Sequence, residues 1–224
     1  MARRAGGRRG GRSVPGLKRR KARLEPRRRF ILFLEGRKTE PAYFDALKRA
    51  CRSALIEIDP HPGVGVPYTI AEKAVERARE LGLAPRSRRR KDSFEDRDQV
   101  WAVFDRDEHP RFNEAVELCR NHGVGVGRSD PCFELWLILH ERDYDRPDDR
   151  HAVQAELRRL RPEYEIDGPK TPDCEDLIRR VEDAERRGDE QLRRREEEDN
   201  AFGNPSTTVG QLTTAIREAA RHAP

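Results

Sequence analysis

At Phe30 the chain passes abruptly from polar to apolar. Phe30-Ile31-Leu32-Phe33-Leu34 is an unbroken hydrophobic run closed by Glu35-Gly36, the pattern of a strand buried on both faces. Thr39-Glu40-Pro41 then predicts a helix start, with Thr39 as its cap and Pro41 in its first turn. Ala42, Phe44, Ala46, Leu47 and Ala50 carry that helix to about Arg52. Leu55-Ile56-Glu57-Ile58 reads as a second, shorter strand, His61 to Gly65 as a loop, and Tyr68 to Leu81 as an amphipathic helix ending near Gly82. A charged loop over 85–98 precedes a third strand, Val100 to Phe104, which runs into Asp105-Arg106-Asp107. A helix over Pro110 to Asn121 and a fourth strand over Gly123 to Gly127 complete the alternation.

This β-α-β-α-β-α-β order, with runs apolar on both faces, predicts an α/β fold: a four-stranded parallel sheet with helices on both faces. Pro131 to His140 (PCFELWLILH) is an apolar helix expected to pack on that sheet. Beyond it the chain turns polar, and helices are expected over 150–161, 173–199 and 206–222, the middle one projecting with few core contacts. The organisation expected is a disordered basic tail over 1–29, an α/β core over 30–141, and a helical C-terminal extension over 142–224 that packs on the core.

Charge divides the chain further. Hydrophobic residues make up 34% and charged residues 40% of the 224, so a small core must carry a heavily charged surface. Residues 1–29 hold 13 Lys or Arg against Glu25 alone; their +12, set against +5 overall, leaves −7 for the body. The Arg/Gly-rich tail can reach phosphates by charge, or serve only to keep the chain soluble. The acidic body suits a cation site at least as well as a broad phosphate-binding face. Cys51, Cys119, Cys132 and Cys174 form no C-x-x-C pair, which argues against zinc and for reduced thiols. An N-terminus without an apolar h-region, and no apolar stretch long enough for a membrane span, predict a cytoplasmic protein with no membrane partner.

Three acids fall just after the C-terminal ends of expected strands: Glu35 after the first, Asp105 and Asp107 after the third. Ligands of open parallel sheets bind at that edge, where the strand order reverses. If the first and third strands are neighbours, the carboxylates converge, and their repulsion calls for a cation. Hard oxygens without a His/Cys set suit Mg²⁺ or Mn²⁺. Asp105 and Asp107 would then be metal ligands, and Glu35 a general acid/base or the last ligand of the shell. Gly36 lets a phosphate approach the backbone, and Arg37, Lys38 and Arg106 stand ready to offset its charge.

Strand-Glu-Gly followed by strand-Asp-x-Asp resembles the Toprim domain of topoisomerases, primases and OLD-type nucleases. The fuller pattern is similar to the RloB family, through E-G-x-K-T-E-P-x-Y-F (Glu35 to Phe44) and V-F-D-R-D (Val103 to Asp107). Two later blocks, S-D-P-C-F-E-L-W-L-I-L-H (Ser129 to His140) and N-P-S-T-T-V (Asn204 to Val209), extend the likeness from about Phe30 to Ile216. The resemblance implies a Toprim-like component of bacterial anti-phage or restriction-associated loci, of the abortive-infection kind, encoded beside an AAA/ABC-type ATPase partner. It implies metal-dependent cleavage of RNA, tRNA among the candidates, or of DNA, with Glu35, Lys38 and Glu40 in catalytic roles. The family pattern expects Asn at position 130 and commonly an acid at 37; Asp130 and Arg37 depart from it, which bears on substrate contacts.

Each candidate has a plainer reading. Most D-x-D pairs are surface turns. Glu40 is either a second metal-shell acid or a first-turn residue favoured by the helix dipole. Glu134 needs a partner or a metal if it is buried in its apolar helix, and none if it faces solvent. Phe133 and Trp136 read as core before stacking platforms. His109 and His140 read as structural or exposed before proton carriers, and Lys170 as surface. Two functions compete: a Mg²⁺-dependent endonuclease switched on through an ATPase, and a non-catalytic nucleic-acid-binding or sensor subunit that docks one.

Overall fold

Alternation within β1 (Arg29–Leu34) sets the layering. Phe30, Leu32 and Leu34 enter one hydrophobic core, Ile31 and Phe33 the other, because successive strand side chains point to opposite faces. The computed structural model describes residues 29–52, 66–83, 98–106, 109, 111–165 and 171–221, with the backbone of 55–60. In it β2 (Leu55–Pro60), β1, β3 (Gln99–Asp105) and β4 (Gly125–Asp130) lie side by side and parallel. The four-stranded parallel sheet expected from the sequence is therefore present. The chain steps outward from β1 to β2 in one direction and from β1 to β3 in the other, so β1 and β3 form the switch point where such sheets bind ligands. Register pairs Leu34 with Val103, which brings the residues following each strand to one edge.

Helices cover both faces. α2 (Pro67–Glu80) and α3 (Phe112–Asn121) bury Ile70, Ala74, Phe112 and Val116 against the Ile31/Phe33 face. α1 (Thr39–Ala50) and α4 (Glu134–Glu141) cover the other with Tyr43, Phe44, Leu47, Leu135 and Trp136. α4 is apolar all round because it is enclosed by the sheet side and by α5 (Arg150–Leu160), α6 (Cys174–Ile178) and α7 (Val181–Glu197), with α8 (Val209–Arg221) packed on both α7 and β4. All four cysteines are buried free thiols. Among the described residues no helix is long and apolar enough to cross a membrane.

Several local expectations are corrected. The helix expected over 173–199 breaks at Arg179-Arg180 into α6 and α7, and α7 does not project. Its inward stripe is built of Val181, Ala184 and Gly188, the last facing Trp136 and Leu139, and of the polar residues Glu185, Gln191 and Arg195. Gln191 donates to the Tyr144 carbonyl at 2.7 Å, and Glu185 accepts from the Thr213 hydroxyl at 2.9 Å. A polar sequence conceals a buried face because that face is built largely of polar side chains, most of which find protein partners, although Gln191 Oε1 and Arg195 Nε are buried without a hydrogen bond. The helix expected from 206 begins instead with a two-residue strand, β5 (Ser206–Thr207), antiparallel to the end of β4. The fourth strand runs over Gly125–Asp130 rather than 123–127, since Val124 still donates to Cys119 in the turn that closes α3. Thr39 is the first residue of α1 and not its cap; Lys38 occupies the cap position, without a side-chain cap bond. The expected basic tail, the 61–65 loop and the 85–98 loop, apart from Asp98 and the last residue of the tail, lie outside the described residues.

Candidate functional site

Glu35 directly follows β1 and extends its ladder, its N–H donating to the Val103 carbonyl at 3.0 Å. Its side chain turns to the adjacent strand end, where Oε2 accepts a 3.0 Å hydrogen bond from the backbone N–H of Asp105. Two acids 70 residues apart are thereby locked together by parallel pairing of β1 with β3. Asp105 is buried, its Oδ2 3.9 Å from the guanidinium of Arg150 at the start of α5. Oε1 of Glu35 lies 3.9 Å from Nε2 of His109. Asp107, the third expected ligand, lies outside the described residues. Among the described residues no group of three His, Cys, Asp or Glu side chains is placed to hold a metal ion.

A second pair of acids lies on the α1/α4 side. Glu40, in the first turn of α1, is buried and accepts from the Gly36 N–H at 3.0 Å. The approach is close: a Cβ at position 36 would fall 1.7 Å from the Glu40 carboxylate, so a side chain there must displace it. Burial, and then the negative charge of Glu134, push Glu40 up to about 7 against the opposing pull of the Gly36 N–H and Arg150. A carboxyl group near neutral pKa can hold or release a proton under ordinary conditions.

Glu134 opens α4 and is buried, so its partners decide its state. The Tyr164 hydroxyl donates to its Oε1 at 2.7 Å. The Cys132 thiol is pushed well up by burial, with Glu134 and Asp105 adding to the effect. Glu40, Glu134 and Asp105 therefore share one electrostatic neighbourhood, in which Arg150 is the opposing guanidinium. Arg150, Tyr164 and Cys132 were not picked out from sequence. Cys132 stands two positions before Glu134, a weak signal; Arg150 and Tyr164 sit in polar stretches that carry none.

The basic candidates differ in their surroundings. Arg37 and Lys38 are exposed in the turn between β1 and α1. Arg106 holds structure together: its Nη1 donates to Asp130 Oδ2 at 2.8 Å and to the Phe202 carbonyl, while its N–H donates to Ser129. His140 is structural, with Nδ1 donating to the Trp136 carbonyl and Nε2 accepting from the Tyr43 hydroxyl. Burial drives its pKa down to about 3, so the ring stays neutral. Phe133 and Trp136 are core residues. Lys170 lies outside the described residues.

A family model described as "RloB-like protein" matches residues 30–216, most of the chain. No curated protein and no solved structure gives a match.

Proposed function

The chain belongs to the RloB-like protein family, and on that premise we propose that it is a Toprim-like, Mg²⁺-dependent nuclease subunit of a bacterial defence system, cleaving phosphodiester bonds of RNA or DNA and activated through an ATPase partner. The observation that supports this most is the Glu35–Asp105 lock. It presents two carboxylates at the switch point of a parallel sheet, the edge where such folds work on ligands. Glu35, Asp105 and Asp107 would hold Mg²⁺ or Mn²⁺ through hard oxygen donors. A cation held there would supply Lewis-acid polarisation of a scissile phosphate and charge to offset the developing oxyanion.

The remaining roles belong to this chain's own groups. Glu40, poised at about 7, holds or delivers a proton as general acid/base. Lys38 and Arg37, exposed beside Gly36, neutralise phosphate oxygens as they approach the turn. The donor set fits a cation, because carboxylates gathered at one strand edge repel one another and a divalent charge relieves that repulsion. The direct test incubates purified protein with tRNA, single-stranded DNA and plasmid, in Mg²⁺ or EDTA, with and without an ATPase partner. Cleavage is expected only with Mg²⁺ and should disappear in Glu35→Gln and Asp105→Asn. Cleavage that persists in both variants refutes the assignment.

One observation favours a non-catalytic subunit: the acids already have protein partners, Asp105 near Arg150 and Glu134 bonded to Tyr164. On that reading the cluster is structural, and the helices after α4 dock the ATPase. Recovery of an ATPase by affinity purification, together with intact defence in an Asp105→Asn strain, would establish it instead.

A further inference from the structure

β5 covers only Ser129 and Asp130 of β4. Beside the rest of that edge lies a cleft of about 340 Å³, lined by Trp101, Arg120, Gly125, Arg128, Phe202 and Gln211 among others. Its size falls within the roughly 300–1,000 Å³ typical of small-ligand sites. The sequence builds it deliberately at Gly125: a Cβ there would fall 2.3 Å from the Trp101 indole, so only glycine lets that ring lie across the strand.

The charge of the cleft is incompletely balanced. Arg128 is 3% exposed, yet its hydrogen-bond partners are neutral: Nη1 donates to Ser206 Oγ at 2.7 Å and Nη2 to the Ala201 carbonyl at 2.6 Å. Its Nε is buried without a partner. A buried guanidinium without a bonded carboxylate is costly and calls for an anion. Arg120 and Arg106 add positive charge nearby, against Asp130, which already bonds Arg106. Arg120 is exposed on α3, and its side chain makes no hydrogen bond or ion pair among the described residues; it lies 5.4 Å from the centre of the Phe202 ring, with Arg128 at 4.7 Å. Glu196 is the acid of the lining, which leaves the two arginines in excess.

We propose that this cleft is a second site, separate from the strand-end carboxylates, that binds a nucleotide through its phosphate on the exposed Arg120, in the field of the buried Arg128, and its base against Phe202 on the same face of the sheet. Arginine and aromatic faces together are the pairing that recognises phosphate and base in one ligand. The segment carrying Phe202 is tied to Arg128 through Ala201 and to Arg106, the neighbour of Asp105, through the Phe202 carbonyl. A ligand on Phe202 is thus close in connectivity to the strand ends without using their acids.

The same chemistry is offered by a free mononucleotide and by the 5′ end of a strand, and calorimetry in EDTA separates them. Full-length wild type, Arg120→Ala and Glu35→Gln are titrated with AMP, adenosine, inorganic phosphate and a 5′-phosphorylated pentanucleotide. AMP should bind, adenosine and phosphate more weakly, and Arg120→Ala should lose about tenfold or more in affinity. Glu35→Gln should bind as wild type does, which keeps this result independent of the nuclease reading. A pentanucleotide that binds tighter than AMP identifies a strand end, and the reverse identifies a free nucleotide. Failure of both ligands to bind, equal binding by wild type and an Arg120→Ala protein of native circular dichroism, or loss in Glu35→Gln overturns the proposal.

Discussion

The Tyr164 hydroxyl donates to the Glu134 carboxylate at 2.7 Å, joining the segment after α5 to the first turn of α4. Both residues are buried, so this bond, with a contact from the Cys132 thiol, helps make an acid tolerable inside the α1/α4 core. Tyr164→Phe removes the donor and leaves the acceptor in place, which costs about 1–3 kcal/mol. The melting temperature should fall by roughly 2–4 °C for each kcal/mol lost. Adding Glu134→Gln to Tyr164→Phe should recover part of that loss, because a neutral amide is cheaper to bury. A double variant no more stable than Tyr164→Phe would show that the charge on Glu134 is not the source of the cost.

Gly36→Ala tests how tightly the β1–α1 turn is built. The new methyl would overlap the Glu40 carboxylate, which must then leave its place and its 3.0 Å bond to the residue 36 N–H. A loss of about 1–3 kcal/mol is expected in urea unfolding. In Glu40→Ala the same change meets no carboxylate, so Gly36→Ala should cost much less there, a coupling of about 1 kcal/mol or more. Additive costs would mean that the two residues do not interact.

These two contacts mark where sequence reading succeeds and where it stops. β1 and β3 were legible because both are continuous apolar runs ended by acids, and parallel pairing at the switch point then made Glu35 and Asp105 meet. Glu134 was visible only as an acid in an apolar helix, with burial undecided; the partner that decides it, Tyr164, comes from a polar segment with no periodic signal. Arg150 was hidden for the same reason, since contacts between sequence-distant polar residues leave no local pattern. α7 gives no sign of packing because its buried face is made mostly of Ala, Gly and polar residues such as Glu185 and Gln191 instead of an aliphatic stripe.

Glu40 and His140 predict opposite pH slopes. Glu40 rises from 4.5 to about 7 on folding, so the folded state holds its proton where the unfolded chain has lost it; its contribution is complete below 4.5 and disappears as pH rises through 7. His140 falls from 6.5 to about 3, so the unfolded chain binds the extra proton; its contribution is complete above 6.5 and is lost as pH falls toward 3. Each is worth up to a few kcal/mol, and they oppose each other between pH 4.5 and 6.5. Urea unfolding from pH 4 to 8 should therefore show Glu40→Gln more stable relative to wild type at pH 8 than at pH 5. A constant difference between the two proteins across that range would show that Glu40 titrates normally.

Cation linkage provides a readout that needs no substrate. A ligand that binds only the folded state stabilises it by about 2.7 kcal/mol at a hundred times its Kd, roughly 5–10 °C of melting temperature for a chain of this size. Mg²⁺ or Mn²⁺ should raise the melting temperature of wild type, and chelation should reverse the rise. Asp105→Asn and Glu35→Gln should each abolish most of it, since each removes one of the two carboxylates at the paired ends of β1 and β3. Protons compete with the cation for the acidic neighbourhood, so the rise should be larger at pH 8 than at pH 6, on either side of the Glu40 pKa. An Asp105→Asn protein that keeps the full Mg²⁺ response would place the cation elsewhere and remove the basis for metal-dependent cleavage at this edge.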